Sequence, residues 1–195
     1  MKKVLAHKSQ VWLFTTLTLV ACYSSTYSQL NNTWLIGNQP LTTVLKARMV
    51  FDSTNYVLTQ ENRKMTFEGT EATISDANGN LLMSSNGVWI ADATGDTMMN
   101  GGGLNPSWDV NAHPNGILTE NSNMFLPFPN DSNKYILIHH ALFSDISTYS
   151  YWGGVHKSVI DITANGGLGA VIEKNDTLIY DEISGGITAC RHANG

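Results

Sequence analysis

The stretch Glu71-Ala-Thr-Ile-Ser-Asp-Ala-Asn-Gly-Asn-Leu-Leu-Met-Ser-Ser-Asn-Gly-Val-Trp-Ile-Ala-Asp92 decides the fold class. Two Asn-Gly pairs cut it into three short runs. Asn and Gly both accept positive φ, which a type I′ hairpin turn demands twice, so each pair predicts a tight reversal of the chain. Ala72–Asp76, Asn80–Ser85 and Val88–Asp92 are therefore expected to be three antiparallel strands of a meander. The rest of the chain extends this pattern.

Toward the N-terminus, Asn31–Gly37 predicts a first strand, with weaker strand signals at Val44–Phe51 and Tyr56–Leu58. Met65-Thr66-Phe67 leads into the meander, and Thr97-Met98-Met99 is a short outer strand beyond the turn Asp92–Asp96. Asn100–Asn115 holds five Gly or Pro residues and Trp108. A loop of that length is either functional or packed by its own side chains. The pattern then restarts with Ser122–Phe128, Lys134–His140, His156–Ile162, Ala170–Glu173 and Thr177–Tyr180, and Ile187–His192 opens a third round.

Charged residues make up only 14% of the 195, and no segment keeps a period near 3.6 residues, which excludes a helical bundle. Repeated four-stranded units of roughly 40 residues predict an all-β protein of propeller blades, with a sandwich as the competing all-β architecture. The runs Leu81-Leu82-Met83 and Ile136-Leu137-Ile138 are continuous rather than alternating, as in strands covered on both faces.

The first 28 residues read as a signal peptide. Lys2, Lys3 and Lys8 precede the apolar run Val11–Val20, which is shorter than the roughly 20 residues a bilayer span needs. Cleavage after Ser28 is the preferred processing; the alternative is a lipobox, Leu19-Val20-Ala21-Cys22, with Cys22 lipidated. No membrane span is expected beyond the signal. Its removal takes Lys plus Arg from 11 to 8 against 16 acids, a net charge of −8. An acidic exported domain is not a nucleic-acid binder, because phosphate contacts need Lys and Arg. Only Cys190 then remains, expected as a small buried residue on a strand.

Residues 29–195 leave room for about three or four blades of roughly 40–45 residues. The chain stops at Asn194-Gly195, where a returning strand is expected, so the propeller is read as partial and truncated.

Several segments resemble the N-terminal propeller region of large secreted Bacteroidetes proteins, which usually carry a C-terminal sorting domain for type IX secretion. They are Asn31–Gly37, Glu68-Gly69-Thr70, Ala72–Asp76, Gly79–Leu82, Asn86–Trp89, Met99–Gly101, Phe125–Pro129, Tyr135–His139, Ser158–Asp161, Asn165–Gly169 and Thr188–Gly195. Glu71 stands as an insertion, and Met83-Ser84-Ser85 occupies a place where an aromatic and a Thr-Asp pair are common. The resemblance implies a WD-repeat-like propeller and an exported or cell-surface address. It implies no catalytic residues, and Asp52-Ser53-Thr54, Asp96-Thr97-Met98 and Asp176-Thr177-Leu178 match Asp-Ser/Thr-apolar glycosylation sites of exported Bacteroidetes proteins.

For chemistry, His139 and His140 are adjacent on a predicted strand and point to opposite faces, so they cannot chelate one ion; one is expected buried and the other nearer solvent. His113, His156 and His192 have no metal-ligand spacing, and Asp76-Ala-Asn-Gly79 is a hairpin turn rather than a calcium loop. No catalytic, cofactor or metal site is assigned. Trp108, Tyr149, Tyr151 and Trp152, in Gly-rich loops, are the candidate ligand-stacking aromatics. The expected function is a non-catalytic surface scaffold binding protein or glycan. The alternative is a secreted polysaccharide hydrolase with carboxylates drawn from Asp145, Asp161, Asp181 and Glu182.

Overall fold

The computed structural model describes residues 32–37, 46–76, 78–145, 150–181 and 186–190, with backbone alone at 108–109, 141–145, 150–152 and 181. Strand accounts for 51% and helix for 5%, so the all-β expectation holds. Strands β1 (Thr33–Ile36), β2 (Lys46–Phe51) and β3 (Tyr56–Glu61) form a three-stranded antiparallel sheet. Strands β4 (Ala72–Ser75), β5 (Leu81–Ser85), β6 (Trp89–Asp92) and β7 (Thr97–Gly102) form one meander. A single helical turn, α1 (Trp108–Ala112), precedes the second meander: β8 (Asn123–Pro127), β9 (Lys134–Asp145), β10 (Ser150–Asp161) and β11 (Ala170–Asp181). Strands β7 and β11 meet in parallel at Met99 and Ala170. With β4 also lying against β8, the eight strands make a nearly closed, barrel-like sheet in the order 4-5-6-7-11-10-9-8.

The central meander falls where the Asn-Gly pairs place it, but its turns differ from type I′. Only the glycines take positive φ, Gly79 at 83° and Gly87 at 81°. At the first turn Gly79 N–H donates to Asp76 O (3.0 Å) and Asp76 N–H to Asn80 O (2.8 Å). The Asp76 Oδ1 accepts the N–H groups of Asn78 and Asn80. That carboxylate, with the left-handed Gly79, closes the hairpin between Asp76 and Asn80. Asp92-Ala-Thr-Gly95-Asp96 repeats it: Gly95 N–H donates to Asp92 O (3.0 Å) and Asp92 N–H to Asp96 O (2.9 Å).

Other strands depart further from expectation. The predicted pieces Ala170–Glu173 and Thr177–Tyr180 are one 12-residue strand, β11. Its register against β10 shifts near Val155–His156 and Lys157–Val159, and Asn175 takes φ 58° between the two halves. A bulge, not a turn, produced the break in the pattern. Ile187–Cys190 is not a strand; it is tied by the Ile187 N–H to Asn121 O at 2.7 Å. Cys190 is accordingly exposed, correcting the buried-strand expectation. Residues 191–195, with His192 and the terminal Asn-Gly, lie outside the described residues.

The β4–β7 meander is covered on two sides. Ala72, Ile74, Met83, Ile90 and Met98 pack with Phe125, Tyr135, Leu137, Ile160 and Val171 of the second meander. Leu81 and Ala91 pack with Leu35, Met65 and Phe67 on the β1 side. So the continuous run Leu81–Met83 serves two cores. In Ile136-Leu137-Ile138, by contrast, Leu137 is buried while Ile136 and Ile138 are half-exposed.

Polar pins hold these layers in register. The nearly buried Arg63 guanidinium pairs with Glu61 (2.7 Å), donates to Ala47 O (3.2 Å) and Ile36 O (2.8 Å), and lies over the Phe67 ring. It thereby ties all three strands of the first sheet to the core beneath. At the other joint, Lys174 Nζ donates to Asn100 O (3.0 Å), Asn100 Oδ1 (2.9 Å) and Gly102 O (2.8 Å), while Asn100 Nδ2 donates to Val171 O (2.9 Å). This clasp supplies the β7–β11 adhesion that a single ladder pair cannot. Replacing Lys174 by Met should cost about 1–2 kcal/mol, the net worth of charge-assisted hydrogen bonds at a partly exposed site. A urea midpoint equal to that of the parent would show that the clasp holds nothing.

Candidate functional site

The strongest concentration of polar side chains sits where the loop after β7 meets β9, β10 and β11. Cross-strand register places His139 of β9 opposite His156 of β10, and their rings lie 5.7 Å apart. His139 Nδ1 is 2.7 Å from Asn105 Oδ1, and its Nε2 is 2.9 Å from Ser158 Oγ. Asn105 Nδ2 donates to Gly87 O, so its Oδ1 is an acceptor and His139 carries its proton on Nδ1. Nε2 then accepts from the Ser158 hydroxyl, whose oxygen in turn accepts the Asn175 N–H (3.1 Å). Asn175 closes the circuit, its Oδ1 accepting the Asn105 N–H and its Nδ2 donating to Gly103 O.

A hydroxyl on one imidazole nitrogen and an amide oxygen on the other is the connectivity of an activated nucleophile. Here, however, Ser158, His139 and Asn105 are each 0% exposed. No substrate reaches the hydroxyl, which is itself occupied by a backbone N–H. The arrangement is a buried, fully paired network, and its effect is to fix the position of four segments at once. Burial, with His156 nearby, lowers the His139 pKa to about 3, so the ring stays neutral.

Family models, curated proteins and solved structures were compared with the chain, and none matches. The residues themselves therefore carry the functional reading.

Both adjacent histidines are buried, His140 at 1% exposure, where one was expected nearer solvent. Alternation does put them on opposite faces, but both faces are covered at this point, and the His140 N–H is bonded to Ser122 O (2.7 Å). His156 Nδ1 lies 3.2 Å from Thr177 Oγ1; its pKa is lowered by burial and then by His140. His113 lies 3.8 Å from the Glu68 carboxylate. Among the described residues no group of three His, Cys, Asp or Glu side chains is placed to hold a metal ion.

The candidate aromatics fall on two elements. Trp108 opens α1, and Tyr151 and Trp152 belong to strand β10, paired with Ser144 and Phe143, rather than to a loop. Tyr149 and Cys22 lie outside the described residues. Ser53 is exposed in the β2–β3 turn, Thr97 is exposed at the start of β7, and Thr177 is exposed on β11. Of the candidate carboxylates, Asp161 is committed to structure: its Oδ1 accepts the Thr163 hydroxyl (2.7 Å) and N–H (2.8 Å), which hold its carboxyl below the usual range. Asp145 and Asp181 end β9 and β11, and Glu182 lies outside the described residues. No helix among the described residues is long and apolar enough to cross a membrane.

The network residues Asn105, Ser158 and Asn175 had no signal in the sequence beyond the loop length around Asn105. From that loop Leu104 joins the main core, and Val110 packs with Ile117 just beyond the loop and with Val88 of the first meander.

Proposed function

We propose that this chain is a non-catalytic interaction module of an exported or cell-surface protein, built as successive blades of a β-propeller. The observation that carries the non-catalytic reading is the sealed network: the nucleophile–base arrangement found at Ser158–His139–Asn105 is closed to substrate. Two features bear on blades. Each meander is a four-stranded antiparallel unit in chain order, as a blade is, although β7 and β11 join the two edge to edge. A third sheet covers the far side of the first meander through Leu35, which favours a run of stacked sheets over a two-sheet sandwich.

The partners proposed are proteins or glycans outside the cell, since an acidic chain with a signal-like start repels polyanions. Ser53, Thr97 and Thr177 are exposed, as attachment points for surface glycans would have to be. The resemblance to secreted Bacteroidetes propellers and the preferred cleavage after Ser28 belong to the same proposal.

A glycan array and polysaccharide pull-down, run beside a reducing-sugar release assay, test it. Capture without turnover is the expected result. Turnover abolished by Asp145→Asn or Asp181→Asn would replace the scaffold with a hydrolase. Mass spectrometry of the exported protein distinguishes a Gln29 N-terminus from lipidated Cys22.

A further inference from the structure

Five Asn-Gly pairs fall among the described residues, at Asn78, Asn86, Asn100, Asn115 and Asn165. Each could undergo the same spontaneous reaction. The backbone nitrogen of the Gly attacks the Asn side-chain carbonyl carbon, the bond to the side-chain nitrogen breaks, and ammonia leaves with the Gly amide proton. Water then opens the resulting succinimide at one carbonyl or the other, giving aspartate or isoaspartate. The reaction needs a side-chain amide free to turn, a Gly nitrogen free to approach it, and space for the peptide to rotate. We propose that the fold protects four of these pairs and leaves Asn165–Gly166 as the site of deamidation and isoaspartate formation.

Asn86 is the most protected. It is fully buried, its Nδ2 donates to Thr66 O and Asn115 O, and its Oδ1 accepts the Val88 and Trp89 N–H groups. Its partner Gly87 donates its N–H to Ser85 Oγ. At Asn100 the side chain is held between Val171 O and Lys174 Nζ. Gly79 N–H is bonded into its turn at Asp76 O. At Asn115 the side chain is exposed, but Gly116 N–H is bonded to His113 O, and a Cβ on Gly116 would stand 3.0 Å from Glu68 N, so the peptide is wedged.

Asn165, in the short helical turn Ala164–Gly167, differs in its side chain and in the space around the peptide. It and Gly166 are exposed in the β10–β11 connection, and its side chain has no hydrogen bond among the described residues. Nothing lies within 4 Å of where a Cβ would stand on Gly166 or Gly167. Both Asn165 (φ 51°) and Gly166 (φ 69°) are left-handed, a conformation that Gly leaves at little cost.

The test is to hold the whole folded chain in mildly alkaline buffer, sample it over time, and follow amide-to-acid conversion by peptide mass spectrometry, with an isoaspartyl methyltransferase to report the isomer. Trypsin releases Ser158–Lys174, which contains Asn165 and no other Asn, so that site is unambiguous. A parallel sample in concentrated urea gives the unprotected rates. Asn165 should convert roughly ten-fold or more faster than Asn86 in the folded protein, because Asn86 must await unfolding, and the two rates should converge in urea. Equal native rates would overturn the proposal, as would an Asn165 that resists conversion in buffer while reacting in urea.

Discussion

Acidification from neutrality to about pH 5 is expected to cost the fold about 2 kcal/mol through His139 alone, and about 3 kcal/mol at pH 4. In the folded chain the pKa of His139 is lowered to about 3, chiefly by burial and secondarily by His156. In the unfolded chain it returns to about 6.5. Above that value the ring is neutral in both states and stability does not depend on it. Below it, the unfolded chain binds a proton that the folded chain refuses, so stability falls by about 1.4 kcal/mol per pH unit until the folded pKa is reached. The His156 pKa is lowered too and adds a loss of the same sign. Carboxylates such as Asp131 and Asp161, whose folded pKa values are depressed, lose their contribution only as the pH falls below the ordinary carboxylate range. The window from about pH 6.5 to 4.5 is thus shared by the histidines and by Glu71, whose pKa is raised by burial and whose protonation acts with the opposite sign. Urea midpoints across that window read the slope, and the imidazole resonances of His139 should remain those of the neutral Nδ1–H tautomer throughout. A flat stability profile between pH 7 and 5 would mean that His139 titrates in place and that the network around it is open to water.

Gly69→Ala is expected to be among the most damaging single-methyl changes in the molecule. A Cβ at Gly69 would stand 2.0 Å from Leu118 O and 2.3 Å from Leu118 C, both backbone atoms that no rotamer can move aside. The same approach lets Gly69 N–H and Thr70 N–H share Ile117 O, each at 3.1 Å. Making room forces these two bonds apart and lifts Ile117 out of the site where it is wholly buried. Overpacking together with broken buried hydrogen bonds should cost about 3 kcal/mol or more. Gly102→Ala is the matched control: nothing lies within 4 Å of its Cβ position, and it should be tolerated. Equal thermal midpoints for the two variants would refute the close approach of the 117–118 backbone.

What could be read in the sequence and what could not separates along the range of the forces involved. Strands β4, β5 and β6 fall within a residue or two of their expected bounds because Asp76, Gly79, Asp92 and Gly95 make their turns from neighbours in the chain. Even there the turn type was misread, since the first reversal is held by the Asp76 carboxylate with Gly79 alone, and not Asn78, in the left-handed region. The division of β11 into two strands failed because the apolar pattern breaks at Asn175, a bulge residue whose side chain bonds Asn105 and Gly103. Cys190 was misplaced because strand propensity alone says nothing about whether a neighbouring strand is there to pair. The His139 network was out of reach for the same reason. Its members Asn105 and Ser158 stand 34 and 19 positions from His139, and no local pattern announces them. The two-faced packing of Leu81–Met83 was legible, while the half-open outer face at Ile136 and Ile138 appears only once the sheets are seen stacked.

The clasp of Lys174 on Asn100 spans 74 positions of chain, and the bond from Asn105 to Asn175 spans 70. Ordering so long a loop delivers no reward until its last contact closes, and proteins dominated by such distant pairings renature slowly. Each four-stranded unit can zip up from its own turns, but the seam between them is sealed last. During synthesis the first unit must therefore wait, with Met98 and Ile90 bare, until the second has emerged from the ribosome.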